Sequence, residues 1–230
     1  MKQSSSAMLI FGLLAAALFV ASGGVAHGGV HRDAGSTLTD WRQITPPGKQ
    51  SAAFTVGPTN LIEVRADDAV SFLYAELTAP SPDLRLSWRW RVDSAPAPTE
   101  LAMRGMDDRP LAVHLWFPPP PGGESFWDGV KGALGYPTFG YAMTYVWGGT
   151  SERGEIIANP HLDDAALIVL RDGEAPRRTW FQEHVNVAAD FERVFGHAPL
   201  SAPVYIAIST DTDDKGGTAI GRIADLRFGS

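Results

Sequence analysis

The sequence contains no cysteine among its 230 residues. This absence excludes disulfide bonds, thiolate metal sites and a cysteine nucleophile. Basic residues are also scarce, because 19 Lys and Arg stand against 26 Asp and Glu and leave a formal charge of −7. An acidic balance of this kind argues against a nucleic-acid partner. With 44% hydrophobic residues, the chain is nevertheless apolar enough to fold as a globular protein.

Several motifs of common enzymes are missing. The sequence has no Gly-x-Ser-x-Gly elbow, no His-Glu-x-x-His pair, no phosphate-binding loop and no dinucleotide fingerprint. Hydrolysis by a serine triad is therefore unsupported. No nucleotide cofactor is predicted.

One long hydrophobic run occurs, at residues 8–20, after Lys2 and before a stretch of small residues that ends at Ala26. This order predicts a cleaved signal peptide over residues 1–26, and hence a periplasmic or secreted protein. The run is shorter than the roughly 20 residues that a spanning helix needs, so no permanent membrane span is expected. Residues 27–36 are glycine-rich and polar, which predicts a flexible lead-in. Residues 37–230 are long enough to form a single domain without disulfides.

The dominant period in this domain is two residues. In the strand predicted at 84–92, apolar residues that include Trp88 and Trp90 alternate with arginine and serine. The two tryptophans are interpreted as core residues, and a stacking platform for sugar rings is the alternative. Further strands are predicted at 61–65, 70–77, 111–117, 142–147, 165–171, 179–187, 204–210 and 220–228.

One short helix is predicted over residues 188–195, where Phe191, Val194 and Phe195 share a face and Gly196 supplies a stop. A solitary helix does not support repeated βαβ units. Many short strands with one helix predict a mostly β protein, an antiparallel β-sandwich of jelly-roll type.

Several short motifs carry a family resemblance. They are Ser87-Trp88-Arg89-Trp90-Arg91-Val92, Tyr145-Val146-Trp147, Asn159-Pro160, Asn186-Val187 with Asp190-Phe191, Phe195-Gly196, and Thr210-Asp211-Thr212-Asp213-Asp214. With these motifs the chain resembles the bacterial family called domain of unknown function 3047, from about residue 41 to residue 228. The resemblance implies an exported protein without an assigned activity. It also implies a strand order similar to carbohydrate-binding jelly rolls, in which an acidic residue of the last strand often holds a structural calcium ion.

Three arginines, Arg85, Arg89 and Arg91, lie on the polar face of the predicted strand at 84–92. Side chains two residues apart on one face are about 7 Å apart, so the guanidinium groups can grip carboxylates or sugar hydroxyls. The alternative is internal ion pairing with residues such as Glu183 or Asp211. Arg89 and Arg91 are therefore candidate ligand-binding residues.

A second candidate binding set consists of His114, Trp116, Trp180 and His184. If their strands are neighbours, these residues can share one sheet face with Arg89. Aromatic rings, hydrogen-bonding groups and a titratable imidazole are what a glycan cleft needs. The alternative is that each histidine has a structural role.

The acidic turn at residues 211–214 follows directly after a predicted strand. Carboxylates at alternate positions before glycines can surround a hard cation such as Ca²⁺, which makes Asp211 and Asp213 candidate metal ligands. Asp225, in the last predicted strand, is a candidate third ligand. A solvated acidic turn without a metal is the alternative.

These features favour an exported protein that binds a carbohydrate, a similar polar ligand or another envelope component on one sheet face. A polysaccharide hydrolase or lyase is an alternative, with Asp211, His184 and Glu183 as candidate catalytic residues. A periplasmic structural or interaction module is a third possibility. The sequence leaves open whether the protein is an enzyme.

Overall fold

The fold is a two-sheet β-sandwich with one helix. A computed structural model describes residues 37–38, 41–57, 61–78, 84–120 and 139–229. The predicted signal peptide and lead-in, residues 1–36, lie outside these ranges. None of the helices in the described part of the chain has the length and apolar character needed to cross a membrane.

The described residues form thirteen strands and the helix α1 (Val187–Phe195). The strands are β1 (Thr37–Leu38), β2 (Arg42–Ile44), β3 (Ala53–Val56), β4 (Ile62–Asp67), β5 (Val70–Thr78), β6 (Arg85–Ser94), β7 (Arg109–Phe117), β8 (Tyr141–Trp147), β9 (Ile156–Ala158), β10 (Ala165–Arg171), β11 (Phe181–Asn186), β12 (Tyr205–Asp211) and β13 (Thr218–Phe228). All nine predicted strands and the predicted helix are confirmed. The four strands that were not predicted, β1, β2, β3 and β9, are at most four residues long, too short for an alternating pattern to show.

The larger sheet has the order β1-β5-β12-β7-β8-β10-β9, with β2 also paired to β5, and the smaller sheet has the order β11-β6-β13-β4-β3. If β4–β8 and β11–β13 are numbered one to eight along the chain, the larger sheet contains the order 2-7-4-5 and the smaller sheet contains the order 6-3-8-1. This is the strand order of a jelly roll, so the predicted fold class is confirmed. One pair departs from the antiparallel pattern, because residues 148–164 carry the chain back before β10 pairs parallel to β8.

The core lies between the two sheets. Trp88 and Trp90 on β6 have no exposed surface, which confirms that they are core residues. Their rings contact Tyr145 and Trp147 on β8 of the opposite sheet, at centroid distances of 5.5 Å in both cases. Burial of large apolar side chains of this kind stabilises a fold by about 1.5–3 kcal/mol each.

The helix closes one end of the sandwich. Asn186 caps its N-terminus by accepting a hydrogen bond from the backbone N–H of Ala189, and Gly196 ends it with a left-handed φ of 77°. Phe191 is the buried anchor of the helix, since only 1% of its surface is exposed. The Tyr145 hydroxyl donates to Asp190 over 2.9 Å and holds the first turn against β8.

The outer faces of the two sheets differ. All nine residues of β7 in the larger sheet are buried, and on its outer face Ala112 and Trp116 belong to apolar clusters that include Leu101 and Phe139. On the smaller sheet, by contrast, buried and exposed residues alternate along β4. The smaller sheet therefore presents the open sheet face.

Candidate functional site

The open face of the five-stranded sheet carries several of the predicted binding residues. The exposed Gln182 and His184 on β11 lie opposite Arg89 and Ser87 on β6. Because side chains two residues apart in a strand point to the same side, these four residues share one face. The half-buried Trp180 joins them, since the Arg89 guanidinium lies 5.4 Å from the centre of its ring. We call Arg89, Trp180, Gln182 and His184 the polar platform.

Arg89 and Arg91 of β6 are ion-paired, although not with the predicted partners. Nε of Arg89 lies 2.5 Å from Oδ2 of Asp225, and Nε of Arg91 lies 2.5 Å from Oδ1 of Asp93. The expectation of Glu183 or Asp211 as partner is wrong for these two arginines. The side chains of Arg89 and Asp225 are both 45% exposed, and such surface pairs contribute only about 0.2–1 kcal/mol. Arg89 therefore remains available to a ligand.

The open face is basic, although the whole protein is acidic. Six arginines and four carboxylates alternate outward along β4, β6 and β13. They are Arg65, Arg85, Arg89, Arg91, Arg222 and Arg227, with Glu63, Asp67, Asp93 and Asp225. A face with excess guanidinium groups attracts anionic groups.

His114 and Trp116 do not belong to this face. They lie on β7 in the larger sheet, whereas Trp180 and His184 belong to the smaller one, so the predicted common face does not form. Trp116 is 6% exposed and is stacked against Phe139 at a centroid distance of 5.1 Å. The two residues are separated from the others because the order β12-β7-β8 places no strand of the smaller sheet beside β7.

His114 is enclosed by hydroxyl groups. Its Nε2 lies 2.7 Å from the Ser209 hydroxyl and its Nδ1 lies 2.9 Å from the Thr144 hydroxyl. Burial, with a smaller contribution from the charge of Arg109, holds the pKa of His114 well below its usual value. The neutral imidazole is thus the form that suits this site.

The low pKa of His114 makes stability depend on pH. Below pH of about 6.5 the unfolded chain takes up a proton that the folded site disfavours, so we expect stability to fall by up to about 1.4 kcal/mol per pH unit from this group. Urea unfolding between pH 7.5 and 5 measures the slope. In His114→Gln, stability at neutral pH should be lower but the slope shallower by that amount. Equal slopes in the two proteins would contradict the role of His114.

The candidate catalytic residues do not converge. Glu183 is buried and accepts hydrogen bonds from Nε1 of Trp90 and Nε of Arg171, so its carboxylate belongs to the core. His184, the next residue along β11, is exposed on the opposite side. Asp211 ends β12 in the other sheet. The structure thus places the three predicted acid and base residues in three different surroundings.

The acidic turn does meet another carboxylate, at the edge of the larger sheet. Oxygen atoms of Asp108, Asp211 and Asp213 lie within 4.8 Å of one another. We call these three residues the aspartate cluster. Asp225, the predicted third ligand, is instead paired with Arg89 on the open face. Its position follows from a register shift in β13 between Ala224 and Arg227.

Two cations and two backbone groups support the aspartate cluster. The Lys49 ammonium contacts Asp213, and Nη1 of Arg109 lies 3.4 Å from Oδ2 of Asp211. The carboxylate of Asp108 accepts hydrogen bonds from the backbone N–H groups of residues 214 and 215, over 3.0 and 2.8 Å. Asp108 therefore fixes the turn that carries the other two aspartates.

The cluster has strongly perturbed acidities. Burial, opposed in part by Arg109, raises the pKa of Asp211 to about 8. Burial also acts to raise the pKa of Asp213, but hydrogen bonds with Asp211 and Lys49 outweigh it and lower that pKa overall. Neighbouring carboxylates with divergent pKa values are typical of functional sites.

The sequence interpretation missed Asp108, Lys49 and the nearby pair in which Nε2 of His161 lies 3.1 Å from both carboxylate oxygens of Asp107. A signal for Asp108 existed, because two aspartates and an arginine stand directly at the start of an apolar strand. In an antiparallel pair, the start of one strand lies beside the end of its neighbour. The start of β7 therefore meets the acidic end of β12.

The comparisons with known proteins bear on family membership. The model of a family described as a protein of unknown function (DUF3047) matches residues 39–227. The chain belongs to this family. No curated protein matches it. Among solved structures, the xyloglucanase domain of NopAA, a type three effector from Sinorhizobium fredii in complex with cellobiose, aligns with a TM-score of 0.47 and 8% identity over 85% of this chain and 94% of that chain.

Proposed function

We propose that this member of the DUF3047 family binds a carbohydrate or a similar polar ligand on the open face of its five-stranded sheet. The observation that carries the proposal is the half-buried Trp180 ring, with the Arg89 guanidinium 5.4 Å from its centre. A sugar presents an apolar C–H face to an indole ring and hydroxyl groups to its neighbours. Gln182 and His184 supply hydrogen-bonding groups on the same face.

The charge of the open face favours a saccharide that carries carboxylate or other anionic groups. The weak, exposed pair between Arg89 and Asp225 can exchange for a contact between Arg89 and such a group. An acidic glycan of the cell envelope is a ligand of this kind. It agrees with the export that the signal-peptide prediction implies for residues 1–26.

Substitution of the polar platform tests the proposal. The full chain is titrated by calorimetry with a neutral soluble glucan and with an acidic polysaccharide such as polygalacturonate. We expect binding of the acidic polymer, and a loss of about 2 kcal/mol, or roughly 30-fold in affinity, in Trp180→Ala. Arg89→Ala should weaken binding of the acidic polymer more than binding of the neutral one.

Arg42 provides a matched control. Its guanidinium lies 4.9 Å from the ring of Tyr74, and β2 belongs to the larger sheet, so the same kind of contact occurs away from the open face. Arg42→Ala should bind like the wild type. Equal losses in Arg42→Ala and Arg89→Ala would place the ligand elsewhere, and no binding to any polysaccharide would favour a structural or interaction module.

A further inference from the structure

We propose that the aspartate cluster of Asp108, Asp211 and Asp213 binds a divalent cation of the calcium class. Two oxygen ligands of one calcium ion are separated by up to about 5 Å, because each bond is about 2.3–2.6 Å long. The three carboxylate oxygens of the cluster lie within 4.8 Å of one another. One ion can therefore contact all three side chains.

A buried oxygen atom without a partner supports this assignment. Asp211 is 7% exposed, and in the described part of the chain no N–H group and no Ser, Thr or Tyr hydroxyl donates a hydrogen bond to its Oδ1. Such an atom costs about 1–3 kcal/mol if it stays unsatisfied, and more when it is charged. A cation bound by Asp211, Asp108 and Asp213 would satisfy it.

The local charge balance points the same way. Five carboxylates surround this edge of the sheet, whereas only two permanently charged cations contact them in the described part of the chain. The carboxylates are Asp107, Asp108, Asp211, Asp213 and Asp214, and the cations are Lys49 and Arg109. Asp107, Asp108 and Asp211 are buried, and a divalent ion would offset negative charge that is costly to bury without a partner.

Two competitors for the position are present. A proton shared between Asp211 and Asp213 would also satisfy the buried oxygen. The Lys49 ammonium contacts Asp213 and lies 4.0 Å from Oδ1 of Asp214, but its side chain is 44% exposed and can move into solvent. The cation, proton and ammonium alternatives predict different responses to calcium.

Thermal unfolding of the full chain distinguishes them. With calcium at about 100 times its dissociation constant, we expect the melting temperature to exceed that in EDTA by about 5–10 °C. Magnesium should have a smaller effect, since it requires a stricter octahedral geometry. In Asp211→Asn the calcium shift should disappear. Asp225→Asn, which removes one carboxylate from the open face, should keep it.

Lys49→Met gives the sharpest test. If the ammonium competes with the ion, calcium affinity should rise about fivefold, the factor that corresponds to the loss of one surface ion pair. Terbium luminescence measures the affinity of the site without relying on variants of the cluster. Calcium should displace the bound terbium, with one ion per chain. The proposal is overturned if calcium leaves the wild-type melting temperature unchanged, if Asp211→Asn keeps the full shift, or if no displaceable terbium binds.

Discussion

Replacement of Glu183 by alanine is expected to lower the free energy of unfolding by about 3–5 kcal/mol. Glu183 is 3% exposed, and its Oε1 accepts hydrogen bonds from Nε1 of Trp90 over 2.9 Å and from Nε of Arg171 over 2.8 Å. Alanine would leave a buried indole N–H and a largely buried guanidinium without their acceptor. Urea unfolding monitored by tryptophan fluorescence measures the loss.

Two further variants test whether the loss of stability comes from the hydrogen bonds of Glu183 or from substitution in general. Glu183→Gln keeps an acceptor for Trp90 but removes the charge opposite Arg171, so its loss should be smaller, about 1–2 kcal/mol. Glu192→Ala, at an exposed position of the helix, should change stability by less than about 0.5 kcal/mol. If Glu183→Ala were as mild as Glu192→Ala, the structural role of Glu183 would be refuted.

Replacement of Phe191 by alanine should cost about 3–5 kcal/mol. The ring is 1% exposed, and its centroid lies 4.7 Å from that of Phe117 and 5.4 Å from that of Tyr141. Alanine leaves a cavity between the helix and the larger sheet. Urea unfolding together with far-ultraviolet circular dichroism reports both the stability and the helix content.

Phe195 supplies a matched control on the same helix. It is only partly buried, although its ring lies 4.9 Å from Tyr141. Phe195→Ala should therefore cost less than half as much as Phe191→Ala, because less apolar area is lost and the site can relax. Equal losses would show that the buried anchor of the helix has been misassigned.

The two proposals use different parts of the molecule, and they fail separately. The polar platform lies on the five-stranded sheet, whereas the aspartate cluster lies where β7 and β12 meet in the larger sheet. Loss of polysaccharide binding in Trp180→Ala says nothing about calcium. Asp225→Asn connects the two experiments, since it alters the open face and serves as the control for the metal site.

Local patterning predicted most of the fold. Along β6, the alternation of arginine and serine with Leu86, Trp88 and Trp90 shows from sequence alone which side chains point inward, because successive residues in a strand point to opposite faces. The helix was equally predictable, because glycine favours the left-handed conformation that ends a helix, and Gly196 adopts it. The short strands β2 and β9 left no such pattern.

The candidate sites were less predictable, because they depend on strand order. The local sequence separates His114 from His184 in part, because His114 interrupts the apolar run at 111–117 whereas mostly polar residues flank His184. Only the pairing of β7 with β12, and of β11 with β6, shows that the two histidines lie in different sheets and share no face. Alternation identifies the two faces of a strand but does not say whether other elements cover the second face.

By itself, the sequence determined the two-residue period, the inward tryptophans, the helix and the acidic turn at residues 211–214, since each is a local property of neighbouring residues. The tertiary structure alone decided which distant groups meet. It brought Asp108 to Asp211 across the chain, paired Asp225 with Arg89, and enclosed Glu183 with Trp90 and Arg171. Strand register and sheet packing set these contacts, and neither is encoded in the spacing of residues along one strand.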